Sequence, residues 1–142
     1  MDKNYHHWHK IKTTINNEKK TPLFQEQEIW WTLIGNNIGI EQDGKGSTYM
    51  RPVLILRKYS KYHFVGIPLT TKTKESPHYI SLKRVSFLHD TSTLIISQIR
   101  TFDSKRLFRK MGKISDNTFA QVQKKSVLGL IPGPRVPNGN SN

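Results

Sequence analysis

The sequence predicts a mainly β domain with α-helical ends: a small, strongly bent antiparallel sheet or half-open barrel followed by a C-terminal helix. About five short runs rich in branched and aromatic residues, typical of strands, lie between residues 28 and 101. The segments that join these runs are short, which favours hairpins over the long crossovers that parallel strands need. An amphipathic segment follows the last run, so one helix packed on the sheet completes the predicted order of elements.

The N-terminal segment, residues 1–27, is polar and basic and is interpreted as an arm on the domain. Trp8, Ile11 and Ile15 are spaced as on one face of a helix, so we expect a short helix that uses Trp8 as its anchor. The alternative is a basic arm that reaches for RNA.

The remaining elements follow from turn residues and apolar runs. A strand is expected at residues 28–34, and the polar segment 35–48, with four glycines, predicts a long loop that is either a flexible connection or functional. Further strands are expected at residues 51–57, 62–70, 78–82 and 92–101, with Gly66 and Pro68 indicating a bulge or an edge. Residues 104–111 suggest one helical turn. Ser115 is expected to cap the last helix, whose apolar stripe comprises Phe119, Val122, Val127 and Leu130. Residues 132–142 have the composition of a disordered tail.

Charge is the strongest global signal. The net charge of +13, from 23 Lys and Arg against ten Asp and Glu, favours a polyanionic partner: nucleic acid, an anionic membrane or an acidic protein. The sequence has no cysteine and its six histidines show no metal-binding spacing, so neither a metal nor another cofactor is expected. No apolar run approaches ~20 residues, and the N-terminus lacks the apolar core of a signal peptide, which predicts a cytoplasmic protein that does not enter the membrane.

Polar side chains gather where the predicted strands begin and end. Arg51 begins one strand and Thr70 ends the next, so antiparallel pairing would make them face each other across a cleft. A guanidinium can neutralise charge that develops on a phosphate, and a hydroxyl can donate a hydrogen bond to it. RNA supplies its own nucleophile, the 2′-OH. If the protein cuts nucleic acid, these residues therefore favour a metal-free reaction on RNA.

The ordered set of motifs resembles the MazF/PemK toxins, the endoribonuclease halves of type II toxin–antitoxin pairs. The most specific pieces are RPVLI at residues 51–55, SQIRT at residues 97–101 and the Arg106–Leu107 pair that follows. Other matching pieces lie at residues 28–31, 39–42, 67–70 and 128–130. The resemblance thus covers residues 28–131 as one domain, whereas the N-terminal arm and the extra residues between Gln42 and Arg51 depart from it.

The resemblance implies an SH3-like small β-barrel with a C-terminal helix, a homodimer, and cleavage of single-stranded RNA to a 2′,3′-cyclic phosphate and a 5′-OH. It places the catalytic arginine and threonine on Arg51 and Thr70, and an acidic cognate antitoxin is the implied partner. The loop that gates the substrate corresponds to the segment beginning at residue 39. The residues assigned to substrate binding are Glu41, Gln42, Lys45, Thr71, Gln98 and Arg100.

Two other functions stay open on the sequence alone. One is a non-catalytic basic module that holds RNA or DNA by its phosphates and by stacking. The other is a toxin of the same fold that poisons a protein such as DNA gyrase. Single residues also have structural interpretations: Thr70 as a β-favouring residue, Gln98 as a partner of the sheet backbone, and Glu41 as a cap of the loop.

Overall fold

The computed structural model describes residues 3–17, 21–46, 49–72 and 75–132 of the chain. Within these residues, seven strands lie between two helices. Their bounds are α1 Tyr5–Asn17, β1 Glu28–Leu33, β2 Met50–Ser60, β3 His63–Thr70, β4 Tyr79–Ser81, β5 Thr93–Ile95, β6 Arg100–Asp103, β7 Leu107–Lys113 and α2 Asp116–Leu130. The mainly β fold with a helix at each end is confirmed. The predicted tail falls almost entirely in residues 133–142, which lie outside the described residues.

The sheet is antiparallel and open. Its strand order is β4-β5-β3-β2-β1-β7, and β6 pairs with the remaining part of β3. The SH3-like small barrel that the resemblance implies is not closed, because β4 and β7 are the two ends of the order and no ladder joins them in the described part of the chain. The half-open, bent sheet is therefore the better description of the architecture.

β2 lies in the middle of the sheet, and its segment from Val53 to Ile55 is buried on both faces. Leu54 packs into a cluster with Ile67, Phe119 and Val122 under α2. Val53 and Ile55 point to the opposite face, as alternation along a strand requires, and pack with Phe64, Phe102 and Trp30. Burial on both faces explains why the residues that follow Arg51 form an uninterrupted apolar run. Arg51 itself lies near the start of the strand.

The expected single strand at residues 92–101 is two strands, β5 and β6, separated by a 3-10 turn at Ile96–Gln98. β6 pairs with β3 as far as Gly66, and β5 pairs with it from Leu69 onwards. Pro68 lies between these two ladders, where its missing N–H costs no sheet hydrogen bond. The predicted bulge is present on β2 opposite Gly66, where a Cβ would lie 2.5 Å from Val53 Cγ1.

The predicted helical turn at residues 104–111 is largely wrong. A 3-10 turn occupies Ser104–Arg106, and β7 then pairs with β1. β7 was not predicted because its residues do not alternate between buried and exposed: Phe108 and Arg109 are neighbours and both are exposed. Its pairing with β1 at the edge of the sheet also contains two register shifts.

Both helices occur where their patterns predict them. α1 buries Trp8. In α2, the Ser115 hydroxyl accepts a hydrogen bond from Thr118 N at 3.2 Å and caps the first turn. Its inward face continues through Ser126 and Gly129, so the prediction that Val127 and Leu130 pack on the sheet is wrong; both are exposed. None of the described helices is long and apolar enough to cross a membrane.

Candidate active site

Arg51 and Thr70 line one cleft of about 210 Å³ at the edge where β2 begins and β3 ends. Antiparallel pairing brings these two ends together, since Val53 lies opposite Pro68 in the ladder. Lys45 and Thr71, both predicted to bind substrate, line the same cleft. The rest of the wall is formed by Trp31, Met50, Pro52, Leu69, Leu88, His89, Ser92 and Met111. We call this space the Arg51 cleft.

The Arg51 side chain is held at two points. Its Nε donates to the carbonyl oxygen of Asp43 at 2.7 Å, and its Nη1 donates to that of Leu69 at 3.0 Å. The residue is only 6% exposed. Burial lowers the pKa of Arg51, and the nearby Asp43 carboxylate opposes this shift, but a guanidinium stays charged in proteins. Neither bond uses Nη2, which remains for a ligand.

Thr70 is the last residue of β3 and is partly buried. Its Oγ1 accepts a hydrogen bond from Lys72 N at 3.2 Å. A hydroxyl has one proton to donate in addition to its acceptor sites. The Thr70 proton can therefore be donated into the cleft, while the strand fixes the Cα from which the hydroxyl projects.

Four other predicted substrate-binding residues lie in a second cleft of about 490 Å³, which we call the Gln98 cleft. They are Glu41, Gln42, Gln98 and Arg100. Gln98 is engaged with the loop backbone: its Oε1 accepts from Gln42 N at 3.2 Å and its Nε2 donates to Ile40 O at 3.3 Å. Glu41 accepts from Ile38 N at 2.7 Å and so braces the loop.

The described part of the long loop, residues 35–46, connects the two clefts, and we call it the 35–46 loop. Gln98 holds it at Ile40 and Gln42, and Arg51 holds it at Asp43. Gln42 Nε2 also donates to the Asp43 carbonyl, at 3.2 Å. The predicted site residues thus form two neighbouring groups with this loop between them. Residues 47 and 48 of the predicted loop lie outside the described residues.

His89 is a lining residue that the sequence analysis did not select. Its Nδ1 lies 2.8 Å from Thr91 Oγ1, and this hydroxyl in turn donates to Thr71 O at 2.7 Å. Thr91 N also lies 3.2 Å from Nδ1. The sequence around His89 carries no motif that marks a catalytic histidine. Its position could have indicated a place in the cleft, because His89 lies shortly before β5, the strand that pairs with the end of β3.

Among the described residues that line the Gln98 cleft, Arg100 is the cation and Glu41 the anion, and Arg106 lies near Arg100. Burial lowers the pKa of Arg106, the nearby Arg100 charge lowers it further, and Asp103 acts in the opposite direction. The Arg100 charge thus adds to the cost of keeping Arg106 charged. Among the described residues, no three His, Asp or Glu side chains gather in an arrangement that could hold a metal ion.

Comparison with protein families gives one match. Residues 25–127 match the model of the PemK-like, MazF-like toxin of type II toxin–antitoxin systems. No curated protein matches the sequence.

Several solved structures share the fold at low sequence identity. An endoribonuclease from a mycobacterial species is 16% identical with a TM-score of 0.58, and the match covers 81% of this chain and 97% of that one. A mycobacterial endoribonuclease in complex with its cognate antitoxin is 15% identical with a TM-score of 0.58, over 79% of this chain and 100% of that one. MazF from Deinococcus radiodurans is 16% identical with a TM-score of 0.60, over 75% and 94%.

Proposed function

Because the chain belongs to the PemK-like, MazF-like family of type II toxins, we propose that it cleaves single-stranded RNA without a metal ion. We assign this reaction to residues 28–131 and place it in the cytoplasm. The observation that carries the proposal is the Arg51 cleft, in which a buried, doubly held guanidinium and a strand-end hydroxyl share one wall. The 2′-OH attacks the adjacent phosphorus, the bond to the 5′-oxygen breaks, and a 2′,3′-cyclic phosphate and a 5′-OH result.

Arg51 is assigned to charge stabilisation. As the 2′-oxygen attacks, negative charge builds on the non-bridging phosphate oxygens, and Nη2 can donate to one of them. The bonds to Asp43 and Leu69 fix the guanidinium before substrate arrives, so little reorganisation is needed during the reaction. Removing one such donor typically costs about 10²–10³ in rate.

Thr70 is assigned to a second non-bridging oxygen, to which its hydroxyl donates. Lys45 and Thr71, on the same cleft, are assigned to the phosphate and sugar nearby. The Gln98 cleft lies across the 35–46 loop, and we assign a neighbouring nucleotide to it, held by Glu41, Gln42, Gln98 and Arg100. Binding at both clefts would hold the RNA strand extended, which aligns the 2′-OH for attack.

The reaction also moves protons: the 2′-OH loses one and the 5′-oxygen gains one. An arginine cannot do this, because it does not deprotonate in proteins. Histidine is the residue type that exchanges protons most readily near neutral pH. Among the described residues that line the Arg51 cleft, His89 is the one histidine, so we assign proton transfer to it. Its contact with Thr91, which is tied to Thr71, orients the ring.

We further propose an acidic cognate antitoxin and a homodimer. A chain with a net charge of +13 suits an acidic peptide that competes with RNA for the basic clefts. The outer face of α2 exposes Val127, Leu128 and Leu130 and suits a second copy of the chain. Light scattering at several concentrations tests the dimer. Purification from the native host tests the antitoxin, and recovery without an acidic partner would contradict it.

The test of function is incubation of the purified protein with single-stranded RNA in EDTA. We expect cut RNA with cyclic-phosphate ends. A gel shift without products would instead indicate a non-catalytic binding module, and neither product nor shift would direct attention to a protein target. Either of these results would overturn the ribonuclease proposal.

A further inference from the structure

The N-terminal helix is tied to the loop that holds Arg51, and we propose that this arm positions the arginine. In this proposal, Lys3 is a positioning residue that acts through Asp43, and α1 anchors the 35–46 loop. The inference rests on the proposed role of Arg51, but the physical link between the arm and the loop can be tested without RNA.

Asp43 connects the arm to the arginine through both of its polar ends. Its Oδ2 forms an ion pair with Lys3 Nζ at 2.9 Å, while its backbone carbonyl accepts from Arg51 Nε at 2.7 Å. Its Oδ1 accepts from Asn37 N at 2.6 Å, and Lys3 Nζ also donates to Asn37 O at 2.5 Å. The Lys3 and Asp43 side chains are 21% and 27% exposed, so the pair is partly shielded from solvent. Moving Lys3 therefore removes one of the bonds that hold Asp43, the residue whose carbonyl orients the guanidinium.

Two further hydrogen bonds join the arm to the same part of the loop. Tyr5 OH donates to Asn37 O at 3.1 Å, and Asn36 Nδ2 donates to Asn4 O at 3.1 Å. Asn37 thus receives bonds from two arm residues. The link consists of bonds made by Lys3 and Asn4, directly before the helix, and by Tyr5, its first residue. An accidental contact of one long side chain is therefore a poor explanation.

Trp8 fixes where the helix sits. It is 4% exposed, and its ring lies 5.5 Å from that of Tyr49. Gly35, the first residue of the loop, has φ +85°, and a Cβ there would lie 2.0 Å from Trp8 Cε2. The close approach of the indole thus requires a glycine at the start of the loop. Arg106 also contacts this ring, with its Cζ 5.8 Å from the ring centroid, and its Nη1 donates to Leu33 O at 3.0 Å.

The arm lies outside the part of the chain that the family accounts for. The family match begins at residue 25, whereas the residues of the arm that contact the loop are Lys3 to Trp8. The loop has its own anchor at Gln98, which holds Ile40 and Gln42; apart from bonds within the loop, Asp43 is held by Lys3 and Arg51. Loss of the arm contact should therefore affect the rate of the chemical step more than the binding of RNA.

The experiment compares Lys3→Met, Asp43→Asn, the double variant and Lys3→Arg, which keeps the charge. Lys10→Met, an exposed position on the same helix, is the matched control. The readouts are kcat and KM for RNA cleavage and amide hydrogen exchange at Asn37. We expect kcat to fall roughly two- to fivefold in each single variant, the size expected for a partly exposed ion pair, with KM nearly unchanged. The double variant should be no worse than either single one, because both remove the same interaction.

The pattern across variants decides the proposal. Lys3→Arg should recover most of the rate, and exchange at Asn37 should accelerate in Lys3→Met but not in the control. Unchanged exchange in Lys3→Met would overturn the link itself, with or without catalysis. Faster exchange with unchanged kcat would make the arm only a stabilising element, and a higher kcat would make the loop an inhibitory lid; both contradict positioning. If the wild type does not cleave RNA, the proposed function fails, and the exchange data still decide whether the arm fixes the loop.

Discussion

Replacing Arg51 with lysine separates the charge of this residue from its geometry. The guanidinium donates to two backbone carbonyls, of Asp43 and Leu69, and keeps Nη2 for the phosphate. An ammonium is a single point donor without this planar fork. It can remain near the carbonyls or approach the phosphate, but it cannot reproduce all three interactions at once.

The structure sets the size of both effects. The Asp43 carbonyl keeps Gln42 Nε2 as a donor, but the buried Leu69 carbonyl loses its bond to Arg51. The loss of such a bond costs about 1–3 kcal/mol, so Arg51→Lys should lower the free energy of unfolding by that amount. Losing the fixed donor to the phosphate should lower kcat by about 10²–10³. Because the positive charge is retained, the affinity for RNA should change little.

The assays are urea denaturation, single-turnover cleavage of a labelled RNA, and equilibrium binding of an RNA that cannot be cleaved. Arg57→Lys is the matched control, since Arg57 lies on the same strand and is exposed. A variant that is folded, binds RNA and cuts it within about threefold of the wild-type rate would refute the assignment of Arg51, because that change corresponds to less than 1 kcal/mol of barrier.

Three further predictions follow from the same structure. Thr70→Val removes the hydroxyl and keeps the shape and β propensity, so cleavage should fall about 10²-fold without loss of stability. The control Thr101→Val, at an exposed position, should cleave RNA at the wild-type rate. Wild-type cleavage by Thr70→Val would show that Thr70 only favours the strand. His89→Gln should lower kcat with RNA binding retained, and an unchanged kcat would exclude His89 from proton transfer. Burial alone would raise the pKa of Glu28, but hydrogen bonds from Lys110, Trp30 and Gln25 and the Lys110 charge outweigh burial and lower this pKa below 4.5. The stability that Glu28 adds is thus present above pH 4.5 and lost as the pH falls below it, so Glu28→Gln should flatten the acid limb of thermal unfolding measured against pH.

The meeting of Arg51 and Thr70 could be predicted from the sequence, because it needs only two strands, a short turn and antiparallel pairing. The Glu41 contact matches its structural interpretation as a cap of the loop. Gln98 was expected to bond the backbone of the sheet, and it bonds the backbone of the loop instead. Such contacts depend on where a loop folds back, which apolar periodicity does not encode.

Other features were beyond the sequence for physical reasons. β7 is an edge strand whose register shifts break the alternation that identifies strands. The ion pair of Lys3 with Asp43 joins two segments whose sequence patterns do not predict a contact between them. The burial of Trp8 is what brings the two segments together. His89 lines the Arg51 cleft because it lies shortly before β5, which pairs with the end of β3. The sequence predicted one strand where β5 and β6 are separate, so this pairing was not predicted.

The central claim is that the protein positions a phosphate while the RNA supplies its own nucleophile. The most direct measurement compares one oligonucleotide sequence as RNA, as uniformly 2′-O-methylated RNA and as DNA, in EDTA, with mass spectrometry of the product ends. We predict that only the RNA is cut and that its fragments carry 2′,3′-cyclic phosphate and 5′-OH ends. Cleavage of the methylated strand or of DNA, or fragments with 5′-phosphate ends, would contradict the account, because the attacking oxygen would then have come from somewhere other than the ribose.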